Sequence, residues 1–194
     1  MVHSISRKLS SIFVAYGESS EDNADIFIYI CEAIISTFFS ICLSILIAVL
    51  FGRFVEGILF IISFALLRRY VGGFHANTHL KCIVMFNCVM ASTMTILTAQ
   101  AFIAATQVSI IFSTVAVLGI FALAPLDVKS KTFSQAALTK QRKKAKISST
   151  LLWIIVFSTT QMGITSISLT LSLSMLWILT GLVLVKIQGY QKAQ

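Results

Sequence analysis

Two stretches of this chain, residues 82–126 and 147–185, carry no charged side chain. One bilayer-spanning helix needs about 20 mostly apolar residues, so each stretch is long enough for two crossings. Backbone in hydrocarbon must satisfy its own hydrogen bonds, and runs of this kind do so as helices. The composition agrees. Of 194 residues, 57% are hydrophobic and 11% charged, against about 25% charged in ordinary soluble domains. A chain this short cannot hide that much apolar surface in a water-soluble core. A soluble enzyme, a disordered chain and a disulfide-rich secreted domain are excluded. The expectation is an all-α integral membrane protein forming a single membrane domain over residues 1–194.

Hydropathy divides the chain into six transmembrane or re-entrant helices, near 26–50, 55–67, 82–104, 108–124, 147–162 and 168–186. The second is short for a crossing and is read as lightly tilted or partly re-entrant. Residues 1–25 form a cytoplasmic or interfacial segment, too polar for a secretory signal peptide. Within it, Ile5, Leu9, Ile12, Phe13 and Tyr16 share one helical face, with Arg7 and Lys8 beside it, which reads as an amphipathic helix on the membrane surface.

Positive charge fixes the orientation. Arg68, Arg69 and Lys81 fall in the 68–81 loop, and Lys129, Lys131, Lys140, Arg142, Lys143, Lys144 and Lys146 in a basic 127–146 loop. The alternate loops, near Arg53, Thr106 and Gly163, carry only Arg53. The positive-inside rule therefore places both termini and the two polar loops in the cytoplasm of a multi-pass cell-membrane protein. The formal charge of +8 is accounted for by these loops and the interface, so no nucleic-acid partner is inferred; the partner implied by composition is the lipid bilayer.

Reactive side chains concentrate in the first polar loop, Arg68-Arg69-Tyr70-Val71-Gly72-Gly73-Phe74-His75-Ala76-Asn77-Thr78-His79-Leu80-Lys81-Cys82. Asn77 or Thr78 is suited to N-cap the third helix. Cys82 then lies in its first turns, where the helix dipole favours negative charge. A cysteine with a histidine is the minimal arrangement for an acyl-transfer nucleophile. Spacing leaves the base open. His79 and Cys82 are i and i+3 on one face. His75 and Cys82 are i and i+7, about 10 Å apart in a continuous helix, and Gly72-Gly73 offers a break that lets His75 fold back. Cys31, Cys42 and Cys88 have no histidine neighbour and read as packing residues. Glu32 is a candidate substrate contact or imidazole orienter, and Glu56 with Arg53 reads as an interfacial pair. Two competing readings are a zinc site on His75, His79 and Cys82, for which no fourth ligand lies close in sequence, and a small transporter or exporter, which requires polar groups in mid-span.

Leu67-Arg68, Tyr70, Gly72-Gly73, His75-Ala76 and Cys82, with Ala124-Pro125 and a lysine-rich loop further along the chain, resemble the pattern of the accessory gene regulator protein B (AgrB) family. That family comprises membrane peptidases of Gram-positive quorum sensing. The resemblance covers nearly the whole chain and implies that Cys82 is the catalytic nucleophile and His75 its partner. It implies an AgrD-like precursor peptide as substrate, with an amphipathic leader and an acidic tail. Removal of the tail through a thioester on Cys82 would let a cysteine or serine of the precursor close a thiolactone or lactone ring. Arg68, Arg69, Gly72, Gly73, Lys129, Lys131 and Glu32 are the supporting or substrate-binding candidates. No cofactor or metal is expected, and the resemblance implies a homodimer.

Overall fold

The computed structural model describes residues 24–72, 78–99, 105–124 and 135–191. The expected surface helix over 4–16 lies outside them, as do Gly73, His75, Asn77, Pro125, Lys129 and Lys131. The described residues form six helices and no strand: α1 (Ala24–Leu50), α2 (Phe54–Val71), α3 (His79–Thr98), α4 (Ala105–Leu123), α5 (Gln135–Gln161) and α6 (Thr165–Gln191). Four of them contain segments long and apolar enough to cross a membrane: Ile30–Leu50, His79–Thr98, Thr106–Leu123 and Thr165–Ile187. The chain is an all-α membrane protein.

The other two helices depart from the hydropathy pattern for one reason: charge ends an apolar run without ending a helix. In α2 the helix runs on through Arg68 and Arg69, which form its last turn. Cations there offset the partial negative charge of the helix C-terminus. In α5 the second half of the expected basic loop is already helical from Gln135. Lysine, arginine, glutamine and alanine are all good helix formers, and long basic stems can lie along apolar surface while their charges reach water.

The core is organised around α6. It packs against α2, α3, α4 and α5, while α1 joins mainly through α3 and α2. Over its spanning segment 56% of residues are buried, against 22–28% for the other three spans. Ser168, Thr170, Ser172 and Ser174 are fully buried there, and each hydroxyl donates back to a carbonyl three or four residues earlier. Small side chains let helices approach closely, which is the main packing device where lipid removes the hydrophobic drive between helices. Ser63 on α2 donates to Ser174 at 2.9 Å, and the Trp177 indole donates to Thr93 on α3 at 3.1 Å.

A second polar seam joins α1 to α3. The Asn87 side-chain amide donates to Ser40 Oγ at 3.2 Å and to the Ile83 carbonyl at 2.8 Å, while its oxygen accepts from the Ser44 hydroxyl at 2.9 Å. Such bonds between membrane helices average about 0.6 kcal/mol each, so they fix rotation and register more than they hold the bundle together. At the far end the Arg53 guanidinium acts as a buckle. It bonds Glu56 at 3.1 Å, the Leu97 carbonyl at 3.2 Å and Ser166 Oγ at 3.4 Å, tying the α1–α2 turn to α3 and α6. The expected Arg53–Glu56 pair is present, and it does more than sit at an interface.

Close approach is most acute at Gly57 and Gly119. A Cβ on Gly57 would collide with Ala48 on α1 and press on Met90, whereas one on Gly119 meets only the flexible end of Leu179. Gly57→Ala is expected to destabilise the bundle by about 1–3 kcal/mol, the usual cost of overpacking, and Gly119→Ala by less. Unfolding in mixed micelles of increasing dodecyl sulfate content measures both; equal midpoints for Gly57→Ala and the parent would show that α1 and α2 do not meet so closely.

Candidate functional site

The site is assembled from helix ends. At the end of α2, Gly72 has φ +81° and ψ −163°, a region open essentially to glycine. Its N–H still bonds the Arg68 carbonyl at 3.1 Å, so the chain leaves the helix sharply and without an orphaned donor. The first glycine of the sequence pair therefore has a conformational reason. Thr78 then opens α3 from an extended conformation, φ −137° and ψ 144°, and its Oγ1 accepts from the Lys81 N–H at 3.4 Å. That is the N-cap expected from sequence.

Cys82 comes directly after this cap. Its N–H bonds the Thr78 carbonyl at 3.3 Å, which places it in the opening turn of α3. The residue is half-buried, and no disulfide engages its thiol. His79 lies one turn back on the same helical face. Its Nε2 stands 3.5 Å from Glu32 Oε2 on α1. Glu32 is thus paired with an imidazole at the end of the bundle, not in the middle of a span. His79 is 34% exposed at its side chain and Glu32 17%, so the pair is partly sheltered.

Cations ring the same end. Arg68 lies over the Phe64 ring at 6.0 Å and Arg69 over Tyr70 at 5.9 Å. Lys144, from the first half of α5, stands 5.7 Å from the centroid of the same Tyr70 ring, and Lys146 stands 5.3 Å from that of Phe121 on α4. Cation–π contacts of this kind hold the long side chains against the bundle while their charges face outward. Sequence marks the basic segment as a whole and does not single out Lys144 or Lys146, because only the helical phase of α5 brings them beside α2 and α4.

Beneath this rim a cavity of about 180 Å³ opens between α2, α3 and α6, with Phe64, Phe86, Val89 and Trp177 among its walls and Arg68 and Gly72 at its edge. No sequence signal marks it, since its walls come from three separate helices.

The structure therefore brings together Cys82, His79, Glu32, Arg68, Arg69 and Gly72 at one end of the bundle. Gly73, His75, Lys129 and Lys131 fall outside the described residues. Cys31 is half-buried on α1, while Cys42 and Cys88 are exposed. Among the described residues no group of three His, Cys, Asp or Glu side chains is placed to hold a metal ion.

Comparison with known proteins places this arrangement in context. The model of the accessory gene regulator B family matches residues 5–184, nearly the whole chain. No curated protein and no solved structure matches it. The matched span contains the Gly72 turn, the Thr78 cap and Cys82, and the chain belongs to the accessory gene regulator B family, whose members process the AgrD precursor peptide in agr quorum sensing.

Proposed function

We propose that the chain is a membrane cysteine endopeptidase that removes the C-terminal tail of its precursor and passes the remaining acyl group to a ring-closing nucleophile. The observation that carries this reading is the position of Cys82. It sits half-buried in the capped opening turn of α3, beside a carboxylate–imidazole pair and under a cationic rim. Glu32, the one acid a transport route would need inside the membrane, is instead engaged at the bundle end.

The chemistry runs in two acyl transfers. His75 takes the Cys82 thiol proton as Sγ attacks the scissile carbonyl, and then donates it to the departing amine. The C–N bond breaks, the tail leaves, and a thioester joins the precursor to Cys82. A thiol or hydroxyl of the precursor, losing its proton to the same imidazole, attacks that thioester and regenerates Cys82. Thioester-to-thiolactone exchange makes a bond of the same kind it breaks, so excluding water from the acyl-enzyme favours ring closure over hydrolysis. The partial positive charge at the N-terminus of α3 favours the developing oxyanion.

In this scheme the His79–Glu32 pair is a positioning element. It ties the first turn of α3 to α1 and holds the nucleophile in place. The cationic rim of Arg68, Arg69, Lys81, Lys144 and Lys146 attracts the acidic tail, and the positive charge of Lys129 and Lys131 adds to that attraction. The same charges support a cytoplasmic location for this end of the bundle and the site, where a thiol stays reduced.

Two sets of variants test the scheme, each read as precursor cleavage in cells co-expressing an AgrD-like precursor peptide. Cys82→Ala is expected to abolish cleavage, and His75→Ala to lower it by about 10²–10⁴-fold, the usual worth of a positioned base. Full-rate cleavage by Cys82→Ala would end the cysteine mechanism. If His79→Ala instead matched Cys82→Ala while His75→Ala cleaved normally, the base would be His79.

The positioning role makes a separate prediction. His79→Ala and Glu32→Gln are each expected to cost about 10-fold in cleavage, and the double variant no more than the worse single one, because partners in one pair do not act additively. Fully multiplicative losses in this double-mutant cycle would show that the two residues act independently.

A further inference from the structure

The cavity under the cationic rim has a direct relation to Cys82. Met85, Phe86 and Val89 line it from α3, and they lie at i+3, i+4 and i+7 from Cys82, the spacing of one helical face. Met85 and Phe86 begin about 5 Å along the axis from Cys82. On α2, Arg68 and Gly72 border the same space. The cavity thus starts one turn below the thiol and runs between the helices away from the rim.

Its walls are almost wholly apolar. The Phe64 and Phe86 rings stand 5.1 Å apart, centroid to centroid, and α6 supplies Trp177, Ile178 and Leu184. Its one charged lining residue is Arg68, at the edge. A volume of about 180 Å³ is close to that of the engineered apolar cavity of about 150 Å³ that binds benzene. It therefore has room for one large apolar side chain. Gly181 forms part of the wall, and a Cβ added there meets no atom within 4 Å. The glycine keeps this space open and is not required by helix packing.

We infer that this cavity is the specificity pocket of the peptidase: it receives a large apolar side chain from the precursor residue whose carbonyl Cys82 attacks. The inference rests on the cysteine peptidase reading above. Charge complementarity argues for a peptide occupant with carboxylates on the far side of the scissile bond. Once the apolar side chain is seated, the chain beyond the carbonyl emerges among Arg68, Lys81 and Lys144. Burial of the side chain fixes the carbonyl over the thiol, and the cations engage the departing segment.

The test uses Gly181. The full-length protein, in membranes, is given a panel of an AgrD-like precursor peptide in which the residue before the scissile bond is Ala, Leu, Phe or Trp. The parent is expected to prefer the large apolar residues over Ala by about 10-fold or more, the range a hydrophobic pocket supports. Gly181→Leu fills the space and should reverse that ranking towards Ala, and Gly181→Ala should narrow it. Alkylation of Cys82 by iodoacetamide, at the parent rate, establishes that the variants keep the site intact. If Gly181→Leu fails to accumulate, the smaller Gly181→Ala carries the measurement, since its Cβ has open space. An unchanged ranking in the variants overturns the inference. So does an unchanged ranking accompanied by loss of dioleoyl phosphatidylglycerol from the purified protein in native mass spectrometry, which would make the cavity a lipid site. Failure of the cysteine mechanism itself is told apart by Cys82→Ala, which would then cleave the panel at the parent rate.

Discussion

The hydroxyl-bearing side chains of α6 set how near its neighbours can come, and the geometry of the site depends on that distance. Ser168, Thr170, Ser172 and Ser174 are fully buried, so α6 presents small side chains on two opposite sides. Larger residues there would push α2, α3 and α4 outward and separate the end of α2 from the start of α3. Because the hydroxyls bond their own helix backbone, they enter lipid or protein with little unsatisfied polarity. Ser63–Ser174 and Trp177–Thr93 then fix the rotation of α2 and α3 against this axle. With both helices set, Gly72 and Thr78 lie at the same end of the bundle, one closing α2 with a glycine turn and the other opening α3 with a side-chain cap.

Electrostatics divides the bundle into two unlike ends. One holds a single self-contained buckle at Arg53, whose charge is matched by Glu56 and spread over Leu97 and Ser166. The other holds a surplus of cations leaning on aromatic rings. Charges are tolerated at both ends because water is near, and excluded between them because insertion of one charge at mid-bilayer costs about 2.5–3.5 kcal/mol or more. The Arg53 end is structural. The other end carries the excess of positive charge among the described residues, and it is also where Cys82 and His79 lie.

The apolar lengths of α1 and α4 are readable from sequence to within a few residues, since absence of charge over about 20 residues has few structural meanings. The end of α2 and the start of α5 are not, because Arg68, Arg69 and Lys140–Lys146 have the composition of a loop and the structure of helix. The core position of α6 is hidden by its pattern: Ser166–Ser174 alternates hydroxyl and apolar residues with period two, which fits no amphipathic helix and only makes sense on one buried all round. At the site, the Thr78 cap and the place of Cys82 emerge from local rules. Glu32 is recognisable as a candidate imidazole orienter, but which histidine it meets is not, because pairing across α1 and α3 is set by the Asn87 seam. The cavity is invisible for the same reason: no local rule reports where three distant helices fail to close.

On the proposed reading, the two properties of the functional end address two different competitions. The cationic rim acts before chemistry, by raising the local concentration of an acidic segment and orienting it, and this advantage is screened by salt. The apolar cavity acts during chemistry, by holding the acyl portion after the tail has left. Without such a hold the thioester would be free to swing into water, and hydrolysis would compete with ring closure. A groove that begins one helical turn below the thiol keeps the acyl group on the membrane side of Cys82 while the rim releases the charged tail to the aqueous side. The boundary between lipid and water then becomes the device that separates the two products of the first acyl transfer, and placing the nucleophile in the first turn of a membrane helix is what puts it on that boundary.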